Sequence, residues 1–418
     1  MCWLSSPKTA RPTCWSHELG GGDNWSTTVS GGGLQTSRFS RLGQVIRPDG
    51  SQNEGRIKMT AEIYGELFHP TYPRLISARR PPNFTPPSVR YSLRWHRPVP
   101  ELIADWFGIQ GPEPGSPASR DFVERLRSAL SAKWSPDAFE VMVCPRDEAG
   151  QPVTVVVAYW TSTSAQANWS VGSDFATWWE SPDRLRDGVG YWRETLVCPY
   201  DRQETIYSQN TYRIGLGRTP GSEIVKITDN GYFGAAGDRL PISAVDEIKS
   251  PLGVAVRYDD SVDPRDRRVL VFTPLNTLVM RSGQFWHNSE AEQAADYESA
   301  LRPKLDRGMD YLAAHPDTGC IYLRQMINVE DDFQQRRETS VYAAFQDYAG
   351  LELWAGDHPT HRAIYEHQIA MGRKYGPRRD VITWHEAFVL PANNRFEYIN
   401  CARRTGMTRV GPLVSYVH

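Results

Sequence analysis

Val153-Thr154-Val155-Val156-Val157-Ala158-Tyr159-Trp160 is β-branched through its first five positions and apolar on both faces, which reads as a buried strand. Just upstream, Phe139-Glu140-Val141-Met142-Val143 reads as a second strand. Before it, Ser119 to Trp134 reads as an amphipathic helix with Phe122, Val123, Leu126, Ala129 and Leu130 on one face. Downstream comes a helix holding Trp169, Trp178 and Trp179. Helix, strand, strand, helix, bracketed by further strands, is the order of a split βαβ or ferredoxin-like unit.

The chain then repeats this order. A helix over roughly Ala291 to Ala314 places Tyr297, Leu301, Leu305, Met309 and Leu312 at helical spacing. The strands Cys320 to Met326 and Ser340 to Phe345 follow, and then the helix after Asp357. Aligning Trp160 with Phe345 also sets Trp169 on Trp354. The expectation is an α+β protein of two tandem ferredoxin-like halves, residues 101–245 and 246–418. Together they form a dimeric-α/β-barrel-like antiparallel sheet core with helices outside. Two segments precede them. Residues 1–58, rich in Gly, Ser and Thr, read as a disordered leader or as sequence upstream of the true start at Met59. Residues 59–100 form a Pro-rich arm, expected to wrap a surface without adding a core element.

Composition narrows the function. A formal charge of -2 over 418 residues, without a basic block, argues against nucleic acid as a partner. No apolar run approaches the ~18 residues of a membrane span, and the N-terminus lacks the order of a signal peptide. Six scattered cysteines without a CxxC pair read as reduced thiols of a cytoplasmic protein. Phosphate-loop, GxGxxG, HExxH, CxxCH and GxSxG motifs are absent from the sequence.

The ten histidines are more informative. Asp357-His358-Pro359-Thr360-His361 opens a helix with Pro in its first turn, and Val381-Ile382-Thr383-Trp384-His385-Glu386 alternates like a strand. One histidine can hold a metal centre while the other moves protons. Residue by residue, blander readings compete. His361 reads as a capping or surface group, and His385 as a satisfied core histidine. Ser282 reads as a turn residue, Arg239 as a solvated charge and Glu204 as a strand-face carboxylate. A zinc site of His358, His361 and His367 lacks an obvious carboxylate or Cys partner.

Several motifs in order carry a resemblance. They include Trp178-Trp179-Glu180-Ser181, Gly188-Val189-Gly190-Tyr191-Trp192-Arg193-Glu194, Arg239-Leu240-Pro241-Ile242-Ser243 and Arg281-Ser282-Gly283-Gln284-Phe285-Trp286. Gly308-Met309-Asp310-Tyr311-Leu312, His358-Pro359-Thr360-His361, His385-Glu386 and Glu397-Tyr398-Ile399-Asn400-Cys401 follow. From about residue 78 to 413 the chain resembles the haem-dependent aldoxime dehydratases, the phenylacetaldoxime type among them. The resemblance implies dehydration of an aldoxime, R-CH=N-OH, to a nitrile on ferrous haem b, with phenylacetaldoxime or a related arylalkyl aldoxime as substrate. It makes His361, in the second half, the axial ligand of the haem iron. It gathers Ser282, Arg239 and His385 around the substrate hydroxyl, with Glu204 in the same polar network. His385 is the acid–base group. The expected partner is the small aldoxime, with no nucleic acid and no membrane, and a homodimer is compatible. Two alternatives remain open: another haem enzyme of this architecture, peroxidase-like or chlorite-dismutating, and a non-catalytic haem-binding protein.

Overall fold

A computed structural model describes residues 67–228, 231–410 and 414–417. The expected leader, residues 1–58, lies outside them, as do residues 59–66 of the Pro-rich arm. The rest of the arm is largely exposed and tied down by its backbone: the N–H groups of Leu75 and Ile76 both donate to the Ala244 carbonyl, at 2.8 and 2.9 Å. The end of the arm departs from expectation. Arg90–Trp95 form strand β1, with Leu93 and Trp95 buried in the core. Pro86, Pro87 and Pro98 bracket a stretch whose own N–H groups are all available to a ladder, so the prolines delimit a strand rather than prevent one.

The first unit runs β2 (Glu101–Gln110), α1 (Pro117–Leu130), β3 (Ala138–Cys144), β4 (Val153–Trp160), α2 (Thr163–Gly172), α3 (Asp174–Glu180) and β5 (Gly190–Pro199). One helix was expected to carry Trp169, Trp178 and Trp179. Two form, because Ser173 leaves helical geometry and caps α3 by accepting from the Ala176 N–H. After β6 (Gln203–Tyr207), β7 (Ser222–Ile227) and β8 (Arg268–Phe272), the second unit begins. It runs β9 (Leu278–Phe285), α4 (Ala291–Asp296), a π-helical turn (Tyr297–Leu301), α5 (Arg302–Ala314), β10 (Cys320–Val329), β11 (Gln335–Phe345), α6 (Tyr348–Asp357), α7 (Pro359–Tyr375) and β12 (Ile382–Val389). The long helix expected from 291 is thus interrupted by the π turn, just ahead of Pro303 in the first turn of α5. Strands β13 (Arg395–Ile399) and β14 (Val414–Val417) finish the chain.

Each unit lays its strands in ferredoxin-like order, β5-β2-β4-β3 in the first and β12-β9-β11-β10 in the second. The units join edge to edge through β3 and β10, giving one antiparallel sheet of 14 strands. The flanks are exchanged. β6, β1 and β7 extend the sheet beyond β12, whereas β13, β8 and β14 extend it beyond β5. The sheet curls so that non-neighbouring strands meet across a shared interior. Trp106 of β2 stacks on Tyr342 of β11 at 4.1 Å, and Tyr322, Arg324 and Tyr342 all donate to Glu194 of β5. This is the barrel-like α+β core expected, with the helices on its outer side.

Strand register reveals a duplication finer than the element order. Ile103 faces Trp160 as Leu278 faces Phe345, so the two units superpose strand by strand. Gly108 and Gly283 then correspond, and a Cβ on either would strike an indole, Trp192 in one unit and Trp384 in the other. Trp192-Arg193-Glu194 matches Trp384-His385-Glu386, and Phe107, opposite Arg193, matches Ser282, opposite His385. In the first unit the space between sheet and helices is filled. Phe107 packs edge-on to Trp169 and Phe175, and the Arg193 guanidinium lies 5.1 Å from the Phe107 ring. In the second unit the same space is a cavity.

Candidate active site

The sheet wall of that cavity is set by register. Ile206 of β6 faces His385 of β12, which faces Ser282 of β9; two residues along, Glu204 faces Ala387, which faces Met280. Because side chains alternate, all six project from one face. Ser282 is therefore a mid-strand residue and not the turn residue its local sequence suggests. Its hydroxyl donates to the Trp384 carbonyl at 3.4 Å, a long bond that leaves it available to a ligand.

Arg239 reaches this wall from the 3₁₀ turn Phe233–Arg239 and is buried. It grips Glu204 with two N–H groups. Nε donates to Oε2, and Nη2 donates to Oε1 at 2.7 Å. The Tyr348 hydroxyl donates to the same Oε1 at 2.9 Å. His385 Nε2 stands 3.2 Å from Glu204 Oε1 and 3.4 Å from Arg239 Nη2. Burial alone would push the Glu204 carboxyl up, but the Arg239 guanidinium and then His385 outweigh it and hold it well below the usual carboxylate range. Glu204 is thus a fixed negative charge beside the His385 ring.

The helical wall is built by the His358-Pro359-Thr360-His361 motif. His358 caps α7, its Nδ1 accepting from the Thr360 N–H at 3.3 Å, and its ring stacks on Tyr311 at 3.9 Å. Pro359 opens the first turn, where an N–H is not needed. Thr360 Oγ1 accepts from the Trp354 indole N–H at 2.9 Å, which binds α7 to α6. His361 is left to face the cavity, edge-on to Phe233 and Trp354 at 5.0 and 4.8 Å. Burial lowers its pKa to about 4, so the ring is neutral near pH 7. A neutral ring keeps a lone pair on one of its nitrogens, the state an imidazole metal ligand needs.

The cavity between the walls has a volume of about 330 Å³. Its sides are mainly apolar, with Met280, Leu305, Met309, Val341 and Phe345 among them. Two glycines let the helices close around it. A Cβ on Gly308 would meet Ile364 Cδ1 at 3.0 Å, and one on Gly356 would meet Gly234 Cα at 2.9 Å. An apolar chamber with a neutral imidazole on one wall fits a haem, whose iron His361 would hold. His361, His385, Ser282 and Arg239 all line it, and Glu204 stands directly behind His385 and Arg239. The three histidines of the zinc alternative do not converge. His367 is engaged by Asp296 and Lys304, at 3.1 and 2.9 Å, and His358 by its own helix. Sequence reasoning missed Tyr348, Arg90 and Arg379, for no local motif marks them.

Comparison with known proteins agrees with this architecture. The family model described as haem-containing dehydratase matches residues 105–407. Proteins named aliphatic aldoxime dehydratase are 30% identical over 346 residues in Rhodococcus erythropolis and 29% over 345 in Pseudomonas chlororaphis. Each comparison covers 82% of this chain and 96% of the relative. The phenylacetaldoxime dehydratase of Bacillus sp. (strain OxB-1) is 26% identical and covers 62% of this chain and 74% of its own. The crystal structure of an aldoxime dehydratase in complex with butyraldoxime is similar, with a TM-score of 0.73, 29% identity, and coverage of 81% of this chain and 94% of that one. A match that takes in both ferredoxin-like units, and every site residue from Glu204 to His385, establishes that the chain belongs to the haem-containing dehydratase family.

Proposed function

We propose that the chain is an aldoxime dehydratase that converts aldoximes to nitriles with a haem b held through His361. The observation that carries this reading is the pairing of walls: a neutral imidazole on α7 faces a sheet-borne His385 coupled to an Arg239–Glu204 ion pair, across one apolar cavity. The chemistry that ferrous haem supplies when bound there is electron density for the oxime nitrogen, which weakens its bond to oxygen.

The protein's residues handle the rest. Hydroxide leaves poorly, so the oxime oxygen must gain a proton as the N–O bond breaks. With Nε2–H donated to the ionised Glu204, His385 is oriented, and Nδ1–H is the proton delivered to the oxygen. Water leaves. The neutral Nδ1 then takes the proton from the oxime carbon, which yields R-C≡N and restores the imidazolium. Ser282 donates to the departing oxygen, and the buried charge of Arg239 favours the negative charge that develops on it. Ordering by Glu204 follows the logic of a carboxylate behind a catalytic histidine.

The relatives with the widest coverage are named for aliphatic aldoximes, which supports an alkyl substrate in place of the phenylacetaldoxime first expected from sequence. The four described cysteines are free and buried, in keeping with a reducing cytoplasm, and no described helix is long and apolar enough to cross a membrane. The test is an anaerobic assay of dithionite-reduced holoprotein with an alkyl aldoxime and with phenylacetaldoxime, following nitrile by chromatography. Turnover appears on reduction and is faster with the alkyl substrate. Equal turnover by ferric protein contradicts the ferrous assignment, and absence of nitrile from both substrates refutes the function.

A further inference from the structure

Most arginines held inside this protein have an acidic partner. Arg193, Arg239, Arg281 and Arg324 each pair with a buried carboxylate: Asp105, Glu204, Glu140, and both Glu148 and Glu194 respectively. Arg90 and Arg379 do not. Arg90, on β1, donates to the Ser88 hydroxyl and to the Val89 carbonyl, the latter at 3.1 Å. Arg379, between α7 and β12, donates to the carbonyls of Val381 and Gln368 at 3.0 and 3.2 Å and to the Gln368 side-chain oxygen. None of these acceptors is charged, and among the described residues no carboxylate pairs with either guanidinium. Both line the wall of the cavity that carries His361 and His385.

Their electrostatics follow. Every other buried arginine with a resolved shift is pushed up by its acidic partner, whereas burial pushes these two down, Arg379 to about 10 with the Arg90 charge adding to the effect. Two uncompensated like charges beside one low-dielectric chamber are unfavourable unless a ligand brings anions. The helix that presents His361 also carries Gln368, the Arg379 partner, seven residues on. That is roughly 10 Å along the axis, the order of the distance from a porphyrin centre to its carboxylates.

We propose that Arg90 and Arg379 form a carboxylate-binding subsite of the cavity and that it receives the propionate groups of the haem. The proposal rests on the reading of the cavity as a haem site. A carboxylate on the substrate is the other source of the same chemistry, and the test separates the two.

The experiment measures haem transfer from purified holoprotein to excess apo-globin, followed in the Soret region, for wild type, Arg90→Met, Arg379→Met and Arg379→Lys. Far-UV circular dichroism establishes that each is folded; Arg90 bonds only to its own neighbours, so Arg90→Met tests the idea without disturbing α7. Loss of one charge-assisted contact is expected to speed release about tenfold or more, with Arg379→Lys closer to wild type than Arg379→Met. Haem-loaded variants that release at the wild-type rate overturn the subsite alone. Unchanged release with a raised KM for a carboxylate-bearing aldoxime moves the arginines to the substrate and also overturns it. A wild-type protein that holds no haem overturns both this proposal and the function beneath it.

Discussion

Glu204→Gln should separate the structural and chemical roles of the ion pair behind His385. The substitution keeps the side-chain shape and leaves an oxygen for Tyr348, but removes the charge that two buried partners share. Arg239 and Glu204 have side chains only 4% exposed, so the guanidinium left behind is an uncompensated buried cation. Breaking such a pair on one side costs about 3–5 kcal/mol, read as a lower urea midpoint at unchanged slope. Activity should fall for a different reason. His385 loses the acceptor at 3.2 Å that orients its ring, and a positioned acid–base group is worth roughly 10²–10⁴ in rate. The double variant Glu204→Gln/Arg239→Met removes the stranded charge as well. It should recover much of the lost stability, since replacing both members of a buried pair is often neutral, while nitrile formation stays low. The assay pairs urea unfolding with single-turnover nitrile formation on the same haem-loaded samples. A single variant as stable as wild type, or a double variant no more stable than the single, would refute the electrostatic argument. Turnover within about threefold of wild type in either would refute the orienting role.

Three further outcomes are expected. His361→Ala should purify without haem while remaining folded, and an unchanged Soret band would remove His361 as the ligand. His385→Ala should keep its haem and lose nitrile formation by roughly 10²-fold or more; near-normal turnover would exclude the proton-transfer role. The third concerns pH. Burial raises the Glu386 carboxyl, on the inner face of β12, from 4.5 to about 7, so the folded protein binds more protons than the unfolded chain across that window. Stability therefore falls as pH rises from about 4.5 towards 7, by about 3 kcal/mol for this one group. Glu386→Gln should flatten that part of a plot of urea midpoint against pH, and an unaltered slope would contradict the buried, protonated carboxyl.

The sequence made the element order legible because β4 is dense in β-branched residues and β11 is apolar from Val341 to Phe345, while α1 and α5 carry clean helical stripes. It hid the exchange of flanking strands, since β6 and β8 are five-residue strands whose partners are fixed by long-range packing rather than local pattern. The arm misled for a related reason: prolines dominate its composition, and the six residues that form β1 sit between them. At the site, the family-like motifs pointed to His361, His385, Ser282, Arg239 and Glu204, and the fold assembles all five. What no motif supplied was their support. Tyr348, which donates to Glu204, reaches it from the start of α6. Arg90 and Arg379 lie far apart in the chain and carry no signature beyond being arginines.

The unequal filling of the two ferredoxin-like units gives the molecule a division between ballast and workplace. Where Phe107, Trp169 and Phe175 occupy the first unit, dense aromatic packing contributes cohesion with no need of a ligand. Where Ser282 and His385 replace Phe107 and Arg193, the second unit forgoes that packing for a chamber that only a bound group completes. Because a single sheet runs through both, the solid unit can anchor the hollow one. Mutational drift at the chamber, including changes of substrate, is then buffered by a neighbour whose chemistry has nothing left to lose.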